Sequence, residues 1–306
     1  MITIGFDTSN YTTSIAYYDG NTGINCSKLL PVKLGELGLR QSDAVFHHTK
    51  SLPEISDRLF SDVDYNAIRA IGVSTRPRAV DGSYMPCFMV GYSHAKLLAE
   101  ALHVPLVELS HQQGHVAAAL WGAQRMDLMD KPHLAWHLSG GTTELLHIEP
   151  VDKNFVCTKI GGTTDISAGQ LIDRTGQLLG LPFPAGKHMD ALSKEAVNKD
   201  LFKVRCTDSE FSLSGVQNKV QQYHEHNNDT ETAAYTLRCI ANAVYLATEQ
   251  ALAKYPGLPV VFSGGVASNA LLRNAVAPLN PIFAPPEFST DNAMGIAILA
   301  QRKLEA

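Results

Sequence analysis

Short apolar segments alternate with longer amphipathic ones along most of the chain. Apolar runs or strict alternation over a few residues predict β-strands, and apolar residues spaced three and four apart predict helices. This pattern predicts strands at 2–7, 13–18, 70–73, 104–109, 134–138, 145–148 and 260–263. It predicts helices at 51–60, 89–102, 165–179, 232–254, 268–276 and 291–302. Such alternation is typical of an α/β fold, in which helices cover the faces of sheets.

Two stretches of the sequence resemble each other. Residues 2–18 and 134–148 each contain an apolar strand, a turn of small and hydroxyl residues, and a second apolar strand. The similarity predicts two related lobes that face each other across a cleft, although two unrelated hairpins would give the same pattern. We place the N-terminal lobe at 1–108, with the final helix at 292–306 packed back on it, and the C-terminal lobe at 109–291.

Composition narrows the class of protein. The chain has 306 residues, of which 45% are apolar, a length that fits one large α/β unit or two lobes. It has no apolar window long enough for a membrane-spanning helix and no secretory signal at the N-terminus. Five scattered cysteines that never form CxxC argue against a zinc ribbon and predict a cytoplasmic protein. The net charge of −5 implies that any nucleic-acid binding uses a local basic patch or partner proteins.

Two histidines and a distant aspartate form the strongest candidate for a metal site. Ser110 is a predicted helix N-cap, so His111 and His115 lie one turn apart on one helical face, within reach of one ion. The first turn of a helix disfavours positive charge, so both imidazoles are expected to be neutral. Asp291 is either a carboxylate at the start of the last helix or a third ligand. Two histidines and a carboxylate suit iron or zinc, but an HxxxH pattern also arises by chance.

Two glycine turns are candidates for binding a nucleotide. Ser139–Thr142 and the segment containing Gly264, Gly265 and Asn269 each follow an apolar strand, and the second runs directly into a predicted helix. Free backbone N–H groups at such turns bind phosphate oxygens. Each turn alone is a weak signal, but together they favour a nucleotide cleft. The dinucleotide and Walker glycine motifs are both absent from the sequence.

The predicted helix at 165–179 carries a polar stripe. Asp165, Gly169 and Asp173 are spaced four residues apart and therefore share one face. The stripe is either a solvated face with Asp165 as a helix cap, or a set of carboxylates that bind ligand hydroxyls, with Gly169 allowing close approach. Gly186, which follows a proline-rich turn, is a candidate for the same close approach.

In this order, the motifs resemble the TsaD family, the catalytic subunit of the tRNA threonylcarbamoyladenosine synthase. The resemblance covers nearly the whole chain. It is carried by DTSNYTTSIA, HQQGH, LSGGTTEL, DISAGQLIDRTGQLLGLPFPAG, FSLSG, SGGVASNALLR and PPEFSTDNAMGIA. Each motif alone is weak, but seven collinear ones are specific. The resemblance implies the two-lobed fold of actin, Hsp70 and sugar kinases, with a ligand cleft between the lobes.

The resemblance also implies site residues and a reaction. His111, His115 and Asp291 match the metal ligands, for one iron or zinc ion per subunit. The matching positions for the threonylcarbamoyl-adenylate are Ser139, Gly140, Gly141, Thr142, Asp173, Gly186 and Asn269. The implied reaction moves the threonylcarbamoyl group onto the exocyclic amine of an anticodon-adjacent adenine in tRNA and releases AMP. The implied partners are tRNA and accessory subunits, and a homodimer is left open; no membrane is involved.

The chain departs from the family pattern at three places. Asn10-Tyr11 replaces Cys-Asp, so Tyr11 occupies the position of an aspartate important for activity. Arg76–Ala79 replaces a Gly-Pro-Gly-Leu loop, and Thr142 replaces a histidine. These changes are those of a diverged paralogue, and no catalytic residue is assigned. Two alternatives therefore stay open: a nucleotide- and metal-binding relative without transferase activity, with a regulatory or partner-binding role, and a small-molecule kinase or carbamoyl transferase of the same superfamily.

Overall fold

The computed structural model describes residues 1–9, 11–31, 39–61 and 63–305. The chain divides into two compact units: the first contains residues 1–131, 149–157 and 291–306, and the second contains residues 132–148 and 158–290. This division differs from the predicted lobes, because 109–131 and 149–157 belong to the first unit. The final helix belongs to the first unit as well.

The strands and helices alternate along the described residues. The strands are β1 (Ile2–Thr8), β2 (Thr12–Tyr18), β3 (Gly23–Leu29), β4 (Ile68–Arg76), β5 (Leu106–Ser110), β6 (His133–Leu138), β7 (Thr143–Val151), β8 (Asn154–Thr163), β9 (Cys206–Thr207), β10 (Glu210–Phe211), β11 (Val260–Ser263) and β12 (Ile282–Phe283). The α-helices are α1 (Gln41–Phe60), α2 (Phe88–Leu102), α3 (His111–Gly122), α4 (Ala168–Leu178), α5 (Gly186–Ser193), α6 (Ser214–His224), α7 (Asp229–Lys254), α8 (Ala270–Val276), α9 (Pro286–Ser289) and α10 (Met294–Leu304). None of the helices in the described ranges is long and apolar enough to cross a membrane.

The first unit is built on a sheet with the strand order β3-β2-β1-β4-β5. β1 pairs antiparallel with β2 and parallel with β4, which in turn pairs parallel with β5. Apolar side chains of β1 and β2, including Ile4, Phe6 and Ile15, pack with Leu52 and Ile55 of α1 in one core. Helix α3 packs against α10, which is why residues 109–131 belong here and not with the second unit.

The second unit contains a sheet with the order β12-β11-β6-β7-β8-β10-β9. β6 pairs antiparallel with β7 and parallel with β11, and β11 pairs parallel with β12. Trp136 and Phe262 are fully buried in its core, and the indole Nε1 of Trp136 donates a hydrogen bond to Thr248 of α7 (2.8 Å). The strands β8, β7, β6, β11 and β12 thus follow the same order as β3, β2, β1, β4 and β5. The similarity between the two hairpins therefore extends to all five strands of the first sheet and to five of the seven strands of the second.

Several element boundaries differ from the sequence prediction. The helices predicted at 165–179, 268–276 and 291–302 begin at Ala168, Ala270 and Met294. The side chain of Ser167 accepts a hydrogen bond from the N–H of Gln170 (3.0 Å) and caps α4, so the cap expected at Asp165 is wrong. Strands β3 and β8 and helices α5 and α6 were not predicted. β3 is an edge strand with a mostly half-buried or exposed surface, which leaves no clear apolar alternation.

Candidate metal and nucleotide sites

Helix α3 starts with a complete capping box. The Ser110 side chain accepts from the N–H of Gln113 (3.2 Å), and the Gln113 side chain accepts from the N–H of Ser110 (2.9 Å). These reciprocal bonds fix the first turn of the helix at His111. His111 and His115 therefore project from consecutive turns on one face, as their spacing predicts.

Three side chains of the first unit converge on one point. The Nε2 atoms of His111 and His115 lie 2.9 Å apart. The Asp291 Oδ1 atom lies 3.2 Å from His115 Nε2 and 3.6 Å from His111 Nε2. Among the described residues, these three form a cluster whose donor atoms can hold one metal ion. The structure thus brings together the two histidines and an aspartate 176 positions further along the chain.

The donor set fits a small divalent ion. Donors bound at about 2.0–2.1 Å in a tetrahedral site lie about 3.3 Å from one another, close to the separations seen here. Two imidazole lone pairs that face each other at 2.9 Å repel unless a proton or a cation lies between them. An ion that takes four or more ligands, and is held by these three side chains, would keep a coordination position open for a substrate oxygen.

Asp7 contacts His111, one of the three candidate metal ligands, and was not predicted from the sequence. It lies near the end of β1, is only 1% exposed, and its Oδ2 atom lies 2.8 Å from Nδ1 of His111. Its Oδ1 atom accepts the backbone N–H of Ser9 (3.0 Å). A carboxylate on Nδ1 fixes the tautomer that leaves Nε2 for a metal. The available signal was one carboxylate within an otherwise apolar strand.

The charges at this site differ from the prediction that both imidazoles are neutral. Burial lowers the pKa of His111, but the Asp7 carboxylate, with help from Asp291, outweighs burial and raises that pKa to about 9. Burial and the neighbouring His111 charge lower the pKa of His115. Before metal binds, the prediction is therefore wrong for His111, because buried carboxylates outweigh the unfavourable position at the helix start.

Glycines set the distance between α3, which carries His111 and His115, and α10, which begins three residues after Asp291. A Cβ atom added at Gly295 of α10 would collide with the backbone carbonyl of Gly114 and lie 2.7 Å from the N–H nitrogen of Ala118. A Cβ atom at Gly114 would lie 2.7 Å from Ile296 Cδ1. Gly114 lies between the two histidines, and Gly295 follows Asp291 by about one helical turn. The close packing of α3 and α10 thus determines how near the carboxylate lies to the imidazoles.

The turn after β6, Ser139–Thr142, presents open glycines. The Ser139 Oγ atom accepts the N–H of Thr142 (3.1 Å), and Ser167 donates to the carbonyl of Gly140 (2.6 Å). A Cβ atom at Gly140 or Gly141 would meet no heavy atom of the described residues within 4 Å. At Gly169, a Cβ atom would lie 2.5 Å from the Ser139 carbonyl oxygen. Gly169 therefore allows the close approach of α4 to this turn. It does not face a ligand, as the sequence had suggested.

The turn after β11 has a different construction. Gly264 has a φ of +93°, and a Cβ atom there would collide with the backbone of Leu138. Asn269 caps α8 by accepting the N–H of Leu272 (3.0 Å), and its Nδ2 atom donates to Asp190 (2.7 Å). Asp190 also accepts the N–H of Ala270 (2.9 Å) and was missed by the sequence analysis. Gly264 thus allows the turn after β11 to lie close to the end of β6.

The remaining candidates of the second unit, Asp165, Asp173 and Gly186, lie in two different places. The Asp173 carboxylate accepts the N–H of Ala185 (2.9 Å), one residue before Gly186, and burial raises its pKa. Asp165 lies in a turn and accepts hydrogen bonds from the hydroxyls of Ser212 (2.5 Å) and Ser214 (2.6 Å). Burial raises the pKa of Asp165, but these bonds outweigh it and lower the pKa to about 2. Asp173 of α4 thus contacts the residue before Gly186, the first residue of α5, whereas Asp165 precedes α4 and binds Ser212 and Ser214.

The positions that depart from the family pattern are partly described. Asn10 lies outside the described residues, and the Tyr11 carbonyl accepts the N–H of Leu30 (2.8 Å). Arg76, at the end of β4, is exposed and pairs with Ser110 in the sheet. The carbonyl of Pro77 accepts the N–H of Gln112 (3.0 Å). The basic loop is thus attached to the first turn of α3, which carries His111 and His115.

Comparisons with solved structures show the fold. HypF of T. kodakarensis matches with a TM-score of 0.67 and 12% identity, over 99% of this chain and 47% of HypF. Component A of the Acidaminococcus fermentans (R)-2-hydroxyglutaryl-CoA dehydratase matches with a TM-score of 0.59 and 15% identity over the full length of both chains. A ROK family glucokinase from Streptomyces griseus matches with a TM-score of 0.55 and 12% identity, over 99% of this chain and all of the glucokinase. These matches confirm the predicted α/β fold of the actin and sugar-kinase type.

Comparisons of sequence show the family. A protein from Lacticaseibacillus casei, named tRNA N6-adenosine threonylcarbamoyltransferase, is 29% identical over 89% of this chain and 81% of its own length. A protein of the same name from Moorella thermoacetica is 30% identical over 83% of this chain and 77% of its own length. The profile of the TsaD family, tRNA N6-adenosine threonylcarbamoyltransferase, matches residues 38–298. The chain therefore belongs to the TsaD family.

Proposed function

We propose that this protein transfers the threonylcarbamoyl group from threonylcarbamoyl-AMP to the exocyclic amine of an anticodon-adjacent adenine in tRNA. Family membership supports the reaction, and one structural observation carries the proposal for this chain. His111, His115 and Asp291 lie close enough together to hold one metal ion, and Asp7 contacts Nδ1 of His111. Iron or zinc is the proposed ion, because two imidazoles and one carboxylate suit both.

The reaction needs help from the protein because the amine of adenine is a poor nucleophile: its lone pair is delocalised into the ring. A metal ion held by His111, His115 and Asp291 would supply Lewis acidity at this site. In the proposed site, His111 and His115 provide two neutral nitrogen ligands once the proton of His111 is displaced, and Asp291 provides a negative one. Asp7 keeps its charge beside His111 and so holds the imidazole ring in place.

The second unit is proposed to bind the adenylate part of the donor. Gly140 and Gly141 of the Ser139–Thr142 turn, together with Gly265, lie beside open space, which suits the approach of phosphate oxygens to the backbone. Asp173, next to Gly186, and Asn269, held by Asp190, are proposed to bind hydroxyl or amine groups of the nucleotide. Gly264 is proposed to support the turn. Accessory subunits that supply the intermediate, and a cytoplasmic location, complete the proposal.

A reconstituted transfer assay tests this function. The metal-loaded chain, with or without the accessory proteins of a relative, is incubated with threonylcarbamoyl-AMP and a tRNA that carries adenine beside the anticodon. Modified nucleoside, measured by mass spectrometry, is expected from the wild-type chain and not from His111→Ala. An exposed histidine changed in the same way, His188→Ala, is the matched control and should keep activity. Absence of product with every combination of accessory proteins would reject the transferase function.

A second function is favoured by one observation. Tyr11 stands where the family has an aspartate, and a phenol does not replace a carboxylate in accepting a proton at neutral pH. A regulatory or partner-binding paralogue that binds metal and nucleotide without transfer would tolerate this change. Tyr11→Asp combined with Asn10→Cys separates the two functions. A gain of transfer from an inactive chain would support the paralogue, whereas activity in the wild-type chain rejects it.

A further inference from the structure

An irregular segment of the second unit combines exposed basic and apolar side chains. Residues 194–205, which we name the 194–205 strip, follow α5 and precede β9. The strip contains four basic and two acidic residues in a chain whose net charge is −5. Its apolar residues Val197, Leu201 and Phe202 are 84%, 38% and 38% exposed. Such a local excess of basic charge in an acidic chain indicates an anionic partner.

The strip is held in place although it is neither helix nor strand. The Glu231 carboxylate of α7 accepts the N–H groups of Val197 (2.7 Å) and Asn198 (3.2 Å). The N–H of Phe202 donates to Cys239 Sγ (3.2 Å). Val204 is buried in the core of this unit. Because the backbone is already ordered, binding a partner here costs less conformational entropy than ordering a free loop.

The charges in the strip are unevenly neutralised. Lys199, Lys203 and Arg205 are exposed and form no hydrogen bond or ion pair with the residues that the structure describes. The acidic Asp200, in contrast, accepts a hydrogen bond from the Tyr223 hydroxyl (3.0 Å). Lys194 lies 3.3 Å from Asp190. Three cations are thus available to an outside partner, while part of the negative charge is already engaged.

We propose that the 194–205 strip is an RNA-binding surface, in which Lys199, Lys203 and Arg205 contact backbone phosphates and Phe202 stacks on an unpaired base. The inference rests on the proposed function, since it gives the tRNA acceptor a place to bind. Cations beside exposed aromatic and apolar side chains are what single-stranded RNA loops bind, through phosphates and base faces. An acidic protein partner would also bind these cations, but it has no bases to stack on Phe202.

Direct binding of a labelled tRNA to the full-length chain tests the strip. Lys199→Ala combined with Lys203→Ala should weaken binding roughly 10-fold and reduce the slope of log K against log salt by about 1.5. Phe202→Ala should weaken binding roughly 10-fold and leave the salt slope unchanged. Lys50→Ala with Lys303→Ala removes the same charge from exposed sites of the first unit and should change neither quantity. Thermal melting verifies that each variant is folded.

The outcomes separate this inference from the proposed function. If the double lysine variant binds tRNA with wild-type affinity and salt slope, the 194–205 strip is not an RNA-binding surface, even in a chain that transfers threonylcarbamoyl normally. A strip that binds a protein partner would give this result. No tRNA binding by the wild-type chain would overturn the inference too. Strip-dependent tRNA binding by a chain that catalyses no transfer would support the strip and reject the transferase. In an active chain, we expect a higher KM for tRNA with unchanged kcat in the lysine variant.

Discussion

The two units contain sheets of the same strand order but place different chemistry at the ends of their parallel strands. In the first unit, Asp7 lies near the end of β1, and His111 follows β5. In the second unit, the corresponding turn after β6 is Ser139–Thr142, and Gly264 follows β11. One unit therefore presents buried ionisable side chains, and the other presents glycine turns with backbone N–H groups. The strand ends of both sheets are where parallel α/β folds bind ligands.

With the proposed function, this difference would let one framework provide two kinds of site. Metal donors need side chains at fixed distances, so the first unit packs α3 against α10 through Gly114 and Gly295. Phosphate oxygens need close approach to the backbone, so the second unit keeps Gly140 and Gly141 free of neighbouring atoms among the described residues. An alanine at Gly114 or Gly295 should therefore disturb the packing of α3 against α10, whereas an alanine at Gly140 or Gly141 should meet no neighbouring atom of the described residues.

The largest effect is expected from Gly295→Ala. The added methyl group would meet the backbone of α3, which cannot move aside as a flexible side chain can. We expect a loss of stability of about 3 kcal/mol and loss of bound metal, because a shift of α10 would move Asp291, which lies just before this helix, away from the histidines. Thermal melting and elemental analysis measure both effects. Gly215→Ala, on α6 with open space around its Cβ position, is the matched control and should melt at or above the wild-type temperature. Unchanged metal content in Gly295→Ala would refute the packing argument.

Removal of one metal ligand should abolish stoichiometric binding without unfolding the chain. His115→Ala deletes a nitrogen that lies within 3.2 Å of both other donors. We expect bound zinc to fall from about one ion per chain to well below one, since two ligands hold zinc weakly. Dialysis against zinc followed by elemental analysis measures the ratio. His188→Ala should retain the full ion, and a full ion in His115→Ala would remove the site from consideration.

Asp7→Asn should produce a smaller and pH-dependent effect. Loss of the carboxylate beside Nδ1 should weaken metal binding by about 10–100-fold. In the wild-type chain, metal must displace the proton of His111, so affinity should rise as pH increases towards the pKa of about 9. Without Asp7 the pKa of His111 falls, so the rise in metal affinity with pH should level off at a lower pH. Zinc titrations between pH 6 and about 9 measure the curves. Coinciding pH profiles for the variant and the wild type would contradict the role of Asp7, whereas Asp43→Asn, at an exposed position in the first turn of α1, should change nothing.

The smallest effect is expected in the second unit. Asp173→Asn keeps the size of the side chain but removes the charge that accepts the N–H of Ala185. We expect nucleotide affinity to fall roughly 10-fold, the loss typical of one hydrogen bond to a charged group, with no change in metal content. Calorimetry with AMP measures the affinity. Equal affinities for the variant and the wild type would show that Asp173 only supports the chain before α5.

The sequence predicted local features of the sites better than distant ones. His111 and His115 were found because helical spacing and the Ser110 cap are local properties of one segment. Asp7 was missed because its meeting with His111 depends on the pairing of β1 with β4 and of β4 with β5, across 104 residues. Asp190 was missed for a similar reason, since its partner Asn269 lies 79 residues away.

The predicted start of α4 shows how a long-range contact overrides a local signal. Asp165 is a good helix cap by residue type, and the helix was predicted to begin there. Its carboxylate instead accepts hydrogen bonds from Ser212 and Ser214, 47 and 49 residues later. Ser167 takes the capping position, and the helix begins at Ala168.

Anomalous diffraction at the zinc edge, from crystals of the zinc-loaded full-length chain, tests the central assignment most directly. We expect one strong peak within about 2.0–2.2 Å of His111 Nε2, His115 Nε2 and a carboxylate oxygen of Asp291. A zinc peak held by other residues, with none among these three side chains, would contradict it.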